Sequence, residues 1–217
     1  MNSSDERPNH RNPVWLAIQM FCWLTFAVWF RYRVRGREHV PKEGPALFLI
    51  NHQSFLDPLL VPLWFRRPVS FLARDSLFTV PIVGWVLRST YVIPINRDSP
   101  GRSSVQASIN VLKSGNLLGI FPEGTRTRDG EVGRFQSGFL MMLRRYPAPV
   151  IPVGISGAEK AMPRGSIWIR PRSIRVAVGE PIDPSKFERS RDRDVEKELI
   201  EFVRQRIIDC QEEAARM

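Results

Sequence analysis

A chain of 217 residues, 43% of them hydrophobic, has room for one domain with a sizeable core, with or without an appendage. Two cysteines at opposite ends, Cys22 and Cys210, and three histidines without ligand spacing exclude a disulfide framework and a zinc site, so no metal is expected. The balance of 32 Lys and Arg against 22 Asp and Glu leaves a net charge of +10, which favours an anionic partner: nucleic acid, an anionic lipid surface or a phosphorylated substrate. The basic residues are dispersed and match none of the nucleic-acid-binding modules, so nucleic acid is not expected among the partners.

Residues 1–13 are polar, carry Pro8 and Pro13, and read as a disordered lead-in. Residues 14–30 form an apolar run interrupted only by Gln19 and Thr25. Its length lies at the lower limit of about 17 residues for a membrane-spanning helix. Trp15, Trp23 and Trp29 suit a lipid–water interface, and Arg31, Arg33, Arg35 and Arg37 follow as a cationic flank suited to anionic headgroups. A signal peptide fits poorly, because the basic cluster follows the apolar part and no small-residue cleavage site is present. The segment 14–37 therefore reads as a membrane-anchoring helix with a basic flank, spanning or half-immersed; a buried core helix is the competing reading. If the helix spans, the arginines place the rest of the chain on the cytoplasmic face.

From residue 45 onward, strand-like apolar runs cover 46–50, 69–73, 91–95, 117–121, 150–155, 167–170 and 174–178. Helical segments fit between the early ones, at 58–66, 76–89, 101–114 and 137–145. Such alternation predicts an α/β domain over 38–217 with a mostly parallel central sheet flanked by helices. The runs 167–170 and 174–178, joined through Pro171-Arg172-Ser173, read as a hairpin. Residues 191–215 form a charged helix with an apolar stripe at Val195, Leu199, Phe202, Val203 and Ile207.

Chemistry concentrates where strands end. Asn51-His52-Gln53-Ser54-Phe55-Leu56-Asp57 follows the first buried run. His52 and Asp57 are five apart, so they meet through a loop or a helix start rather than along a helix face. Asp57 is compatible with a capping role, as N-cap itself or as the last residue of a Ser54-x-x-Asp57 box. It is equally compatible with orienting the His52 imidazole as a general base. Ser54 raises a serine-hydrolase reading, but the near match to a nucleophile elbow, Gly154-Ile155-Ser156-Gly157-Ala158, lacks its last glycine and shows no clear helix behind it.

A second constellation, Phe121-Pro122-Glu123-Gly124-Thr125-Arg126, begins as another strand ends. Gly124 permits a tight turn and close ligand approach, Arg126 offers a fork for phosphate and Thr125 a hydroxyl. Glu123 suits a ligand hydroxyl or an arginine; a plain surface turn with a Glu–Arg pair is the bland alternative. Ile95-Asn96-Arg97 ends a third strand. In a parallel sheet the strand ends share one edge, which brings Arg97 and Arg126 toward His52.

In combination these segments resemble the lysophosphatidic acid acyltransferase family (1-acyl-sn-glycerol-3-phosphate acyltransferases). The resemblance rests on N-H-x-x-x-x-D at 51–57, a block from Gly84 to Arg97, F-P-E-G-T-R at 121–126 and V-I-P-V-G at 150–154, in the family's order. It implies that His52 is the general base and Asp57 its orienting carboxylate. It also implies that Arg97, Glu123, Gly124, Thr125 and Arg126 bind the phosphorylated end of a lysophospholipid acceptor. The implied reaction is direct transfer of an acyl group from acyl-CoA or acyl-carrier protein to 1-acyl-sn-glycerol 3-phosphate, giving phosphatidic acid at a membrane, with no cofactor. One departure stands out: many members carry lysine in an F-K-x-G segment, where this chain has Phe135-Gln136-Ser137-Gly138, with Arg134 beside it.

Overall fold

The computed structural model describes residues 12–95, 102–187 and 193–217. The lead-in up to residue 11 and Asn96 to Gly101, including Arg97, lie outside the described residues.

Seven strands form one sheet: β1 (Arg33–Arg35), β2 (Ala46–Ile50), β3 (Val69–Arg74), β4 (Ile93–Ile95), β5 (Leu117–Ile120), β6 (Val150–Ser156) and β7 (Arg175–Val178), in the order β1-β7-β6-β2-β5-β3-β4. Every neighbouring pair is parallel except β6 with β7. The domain is thus α/β with a mostly parallel sheet. The ends of β2, β5 and β6 lie side by side on one edge, where an open parallel sheet presents its loops to a ligand.

Strand β2 is central and entirely buried, as its unbroken apolar run requires. Its alternation divides the core. Ala46, Phe48 and Ile50 face a cluster with Phe65, Phe71 and Val153, while Leu47 and Leu49 face one with Leu112, Phe139 and Val203. Helices α4 (Arg102–Lys113), α5 (Gly138–Arg145) and α7 (Arg193–Ala215) supply the second cluster or pack beside it. In α7 the buried stripe is Val203, Ile207, Cys210 and Ala214, at alternating steps of four and three. Phe202, expected on that stripe, points outward with Lys186 over its ring.

Several expected elements change form. The segment 58–66 is the short helix α2 (Asp57–Leu60) followed by a single 3-10 turn at Val61–Trp64. The helix expected over 76–89 is a 3-10 turn at Asp75–Thr79 and then α3 (Pro81–Ser89). Pro81 enforces this break, because the residue before proline is driven out of the helical region and Val80 sits at φ −78°, ψ 118°. The expected hairpin is absent: residues 167–170 form no strand. The reason is that both edges of β7 are already taken, one by β6 and the other by β1, a three-residue strand within the basic flank.

Helix α1 (Pro13–Trp29) matches the apolar run. Asn12 caps it, accepting from Trp15 N–H at 2.7 Å, and donates to the Ser89 carbonyl and the Tyr91 hydroxyl. Gln19 donates to the carbonyls of Pro62, Leu63 and Phe65, and Trp23 meets Trp64 edge-on. Seventeen residues rise about 25 Å, short of a hydrocarbon core of about 30 Å. Among the described residues no helix is long and apolar enough to cross a membrane.

Glycine at 154 lets α7 lie directly on β6. A Cβ there would stand 2.1 Å from the Gln211 nitrogen and 2.3 Å from the Cys210 carbonyl carbon, both backbone atoms that cannot swing aside. Gly154→Ala is expected to lower the unfolding free energy by about 1–3 kcal/mol, measured by urea denaturation; an unchanged midpoint would contradict this packing.

Candidate active site

The loop from Asn51 to Asp57 is held residue by residue. Asn51 behaves as an extra strand partner for β6: its Nδ2 donates to the Ile155 carbonyl at 2.9 Å and its Oδ1 accepts from Ile155 N–H at 2.7 Å. Gln53 donates through Nε2 to the Gly130 carbonyl and accepts from Ala158 N–H, the first residue of the short helix α6 (Ala158–Ala161). These amides carry no charge to neutralise and have both a donor and an acceptor, which suits them to buried backbone.

Asp57 is fully buried, and its Oδ2 takes three donors: His52 Nδ1 at 2.8 Å, Gln53 N–H at 2.7 Å and Ser54 N–H at 2.8 Å. The residue before α2 is Leu56, with no side-chain cap, so the carboxylate holds the Gln53–Ser54 backbone and the histidine through one oxygen atom rather than capping the helix. Burial pushes the Asp57 carboxyl above the usual carboxylate range, while His52 and the two N–H groups pull it back. A carboxylate on Nδ1 fixes the proton there and leaves Nε2 as the basic nitrogen. The imidazole stacks on Phe121 at 4.0 Å between centroids and is partly exposed.

The turn after β5 grips the same histidine from the other side. Glu123 Oε1 accepts from His52 N–H at 2.9 Å, and Thr127 N–H donates to the His52 carbonyl at 2.8 Å. The second oxygen of Glu123 accepts from Gly133 N–H. Glu123 is buried, with no arginine in an ion pair on it among the described residues, and burial raises its carboxyl above the ordinary value. Its contacts make it a positioning residue for the His52 backbone. Gly124, at φ +69°, closes the turn where a side chain would press on the Gln136 amide. Gly124 and Thr125 are exposed, and Arg126 lies partly exposed between them and the cleft.

His52 and Arg126 line one cleft of about 660 Å³, otherwise walled mostly by apolar groups, among them Trp15, Ile18 and Cys22 of α1, Phe71 of β3, and Val86 and Leu87 of α3. β4 stands three strands away from β2, and Arg97, which follows it, lies outside the described residues. Ser54 Oγ donates to the Met162 carbonyl and accepts from Leu56 N–H, pointing away from the imidazole. A short helix does follow Ser156, but Ser156 is paired in the ladder with Arg175, and Gly154 serves α7. The serine-hydrolase geometry is therefore absent. Among the described residues no cluster of His, Cys, Asp and Glu is placed to hold a metal ion.

Sequence reasoning gave no role to Asn51, Gln53, Phe121 or Thr127. The signal for the first two was available: amides flanking a histidine at a strand end have backbone to satisfy. The contacts of Phe121 and Thr127 exist only in three dimensions.

A histidine backed by a buried carboxylate, beside an arginine-bearing turn and open to an apolar cleft, is an arrangement able to act as a general base. Residues 31–156 match the family model described as Acyltransferase, and the chain belongs to that family. It is 33% identical over 173 residues to the chloroplastic 1-acyl-sn-glycerol-3-phosphate acyltransferase LPAT1 of Arabidopsis thaliana, covering 76% of this chain and 48% of that one. It is 31% identical over 198 residues to a 1-acyl-sn-glycerol-3-phosphate acyltransferase of Borreliella burgdorferi, covering 88% and 77%. The chain thus spans about half the length of the Arabidopsis relative and most of the Borreliella one. The crystal structure of the Thermotoga maritima 1-acyl-sn-glycerophosphate acyltransferase PlsC is similar with a TM-score of 0.76 and 29% identity, over 93% of this chain and 80% of that one.

Two outcomes follow for Glu123→Gln. Loosening the His52 backbone is expected to lower turnover by on the order of 10²-fold, the cost of a displacement of about 1 Å. Because the folded-state carboxyl is raised, the folded protein keeps a proton that the unfolded chain has lost, and this contribution to stability falls as pH rises from the ordinary glutamate value. The stability advantage of the parent over Glu123→Gln should therefore narrow between pH 4 and 7 in denaturant titrations. A widening gap would contradict the assigned shift.

Proposed function

We propose that this protein transfers a fatty acyl group from a thioester donor, acyl-CoA or acyl-carrier protein, to the free hydroxyl of 1-acyl-sn-glycerol 3-phosphate, forming phosphatidic acid. The observation that carries this reading is the convergence of the Asp57-backed His52 and Arg126 on one apolar cleft.

His52 Nε2 takes the proton of the acceptor hydroxyl as its oxygen attacks the thioester carbonyl carbon. The carbon–sulfur bond breaks as the tetrahedral intermediate collapses, and the leaving thiolate recovers the proton from the imidazolium. Asp57 stabilises the imidazolium through Nδ1, so a buried carboxylate that must stay ionised is part of the machinery. Arg126 presents a planar fork to the phosphate, supported by the exposed Thr125 and the backbone at Gly124. Arg97 is assigned to the same phosphate on the strength of the resemblance alone. The apolar walls of the cleft take an acyl chain. No acyl-enzyme is needed, which agrees with the engagement of Ser54 elsewhere.

The acceptor reaches the site from a membrane. Met20, Phe21, Leu24 and Val28 of α1 and Ile82 and Trp85 of α3 are exposed apolar side chains on the two helices that wall the cleft. A half-immersed α1 accounts for its apolar outer surface and for the polar grip of Gln19 on its inner side. We assign the catalytic domain to the cytoplasmic face, where anionic lipid and cytosolic thioester donors meet. Gln136 in place of lysine leaves the acceptor phosphate with one cation fewer in this turn, so a panel of lysophospholipid headgroups belongs in the same assay.

His52→Ala is expected to cut thioester consumption with lysophosphatidate by about 10²–10⁴-fold while leaving vesicle binding intact. Transfer at the parental rate would remove His52 from the mechanism.

A further inference from the structure

The loop between α6 and β7 is unused by the reaction, and its composition is unusual. From Met162 to Ile174 it contains Arg164, Arg170 and Arg172 and no acidic residue. At its tip Ile167 and Trp168 are 81% and 76% exposed, and Ile169 is exposed as well. Three consecutive large apolar residues in water are costly unless something covers them.

The legs of the loop are fixed although its tip is open. On the active-site side, the Met162 carbonyl accepts from Ser54 Oγ, the hydroxyl two residues after His52. Arg170 N–H donates to the Ala161 carbonyl at 2.8 Å and closes the neck. On the far side, Ile174 N–H donates to the Phe30 carbonyl, and its own carbonyl accepts from Arg33 N–H. The loop therefore bridges the rim of the catalytic site and the end of α1. Val28, Trp29 and Arg31 at that end share a hollow of about 420 Å³ with Pro171, Arg172 and Ser173. The exposed apolar surface of α1 is thus continuous with an arginine-rimmed hollow and leads to the Ile-Trp-Ile tip.

Resting on the membrane reading above, we propose that residues 164–172 form a second membrane contact, in which the Ile167-Trp168-Ile169 tip enters an anionic phospholipid bilayer. Arg31, Arg170 and Arg172 engage the lipid phosphates. Charge complementarity selects this occupant. Arg31, Arg164, Arg170 and Arg172 are exposed and make no ion pair with a carboxylate among the described residues, and tryptophan beside arginine is the composition that settles at headgroup depth. With α1 as one contact and the loop as the other, the strand-end edge of the sheet is held facing the lipid, so that an acceptor slides into the cleft without leaving the bilayer.

The test uses the full chain, vesicles of phosphatidylcholine alone or with phosphatidylglycerol, and two variants: Ile167→Ser/Trp168→Ser/Ile169→Ser and Arg170→Gln/Arg172→Gln. The apolar variant should lose at least tenfold in partitioning onto both kinds of vesicle. The arginine variant should lose about fivefold per charge on anionic vesicles and little on neutral ones. Acyl transfer to a monodisperse short-chain lysophosphatidate should be unchanged in both variants, whereas transfer to acceptor embedded in vesicles should fall with the partitioning. Parental partitioning of the apolar variant would overturn the proposal, as would a change in sedimentation of the protein alone, which would make the tip a contact between copies. Absence of transfer by the parent in the soluble assay would overturn the enzymatic reading instead, and leaves the partitioning comparison to decide the loop.

Discussion

The site depends on one residue being immobilised at every polar atom but one. His52 has its N–H on Glu123, its carbonyl on Thr127 N–H, and Nδ1 on Asp57. What remains free for chemistry is Nε2, aimed into a cleft. The restraints come from two separate elements: the start of α2 supplies Asp57, and the turn after β5 supplies the other two. Hence two motifs more than sixty residues apart in sequence form one object. Their meeting requires β2 and β5 to be direct neighbours in parallel register, as they are from Ala46 against Leu117 onward. The sheet order is the geometric precondition of the base.

Burial sharpens the same arrangement. Two carboxyl groups, Asp57 and Glu123, sit out of water within one hydrogen-bonded unit, and both are pushed upward by desolvation. Among the described residues neither has a lysine or arginine in an ion pair; backbone N–H groups and the imidazole do that work. Among the described residues Arg126 makes no ion pair, which is what the proposed contact with a ligand phosphate requires of it. Electrostatics are therefore divided in space, with hydrogen-bonded carboxylates beneath the histidine and cations around the mouth.

Much of this was legible in the chain. The apolar runs at 46–50, 117–121 and 150–155 found the three strands that build the site, because each is short, β-rich and mostly buried. His52 and Asp57 were legible as a pair because Pro58 marks a helix start immediately after the carboxylate. What escaped depends on partners remote in sequence. Arg33–Arg35 is charged and three residues long, and it becomes a strand only because β7 offers an open edge. That same edge removes the hairpin expected at 167–178. The engagement of Glu123 with the His52 and Gly133 N–H groups was equally invisible, since no spacing reveals which N–H group will lie beneath a carboxylate.

The central claim is that Asp57 fixes the His52 imidazole with its proton on Nδ1 and Nε2 bare. Nitrogen-15 NMR of imidazole-labelled protein, with the His52 signals assigned by their loss in His52→Ala, reads this directly. In neutral imidazole the account predicts a protonated Nδ1 coupled to a strongly hydrogen-bonded proton and an Nε2 shift typical of an unprotonated ring nitrogen. A proton on Nε2, or rapid averaging of both tautomers, would contradict it.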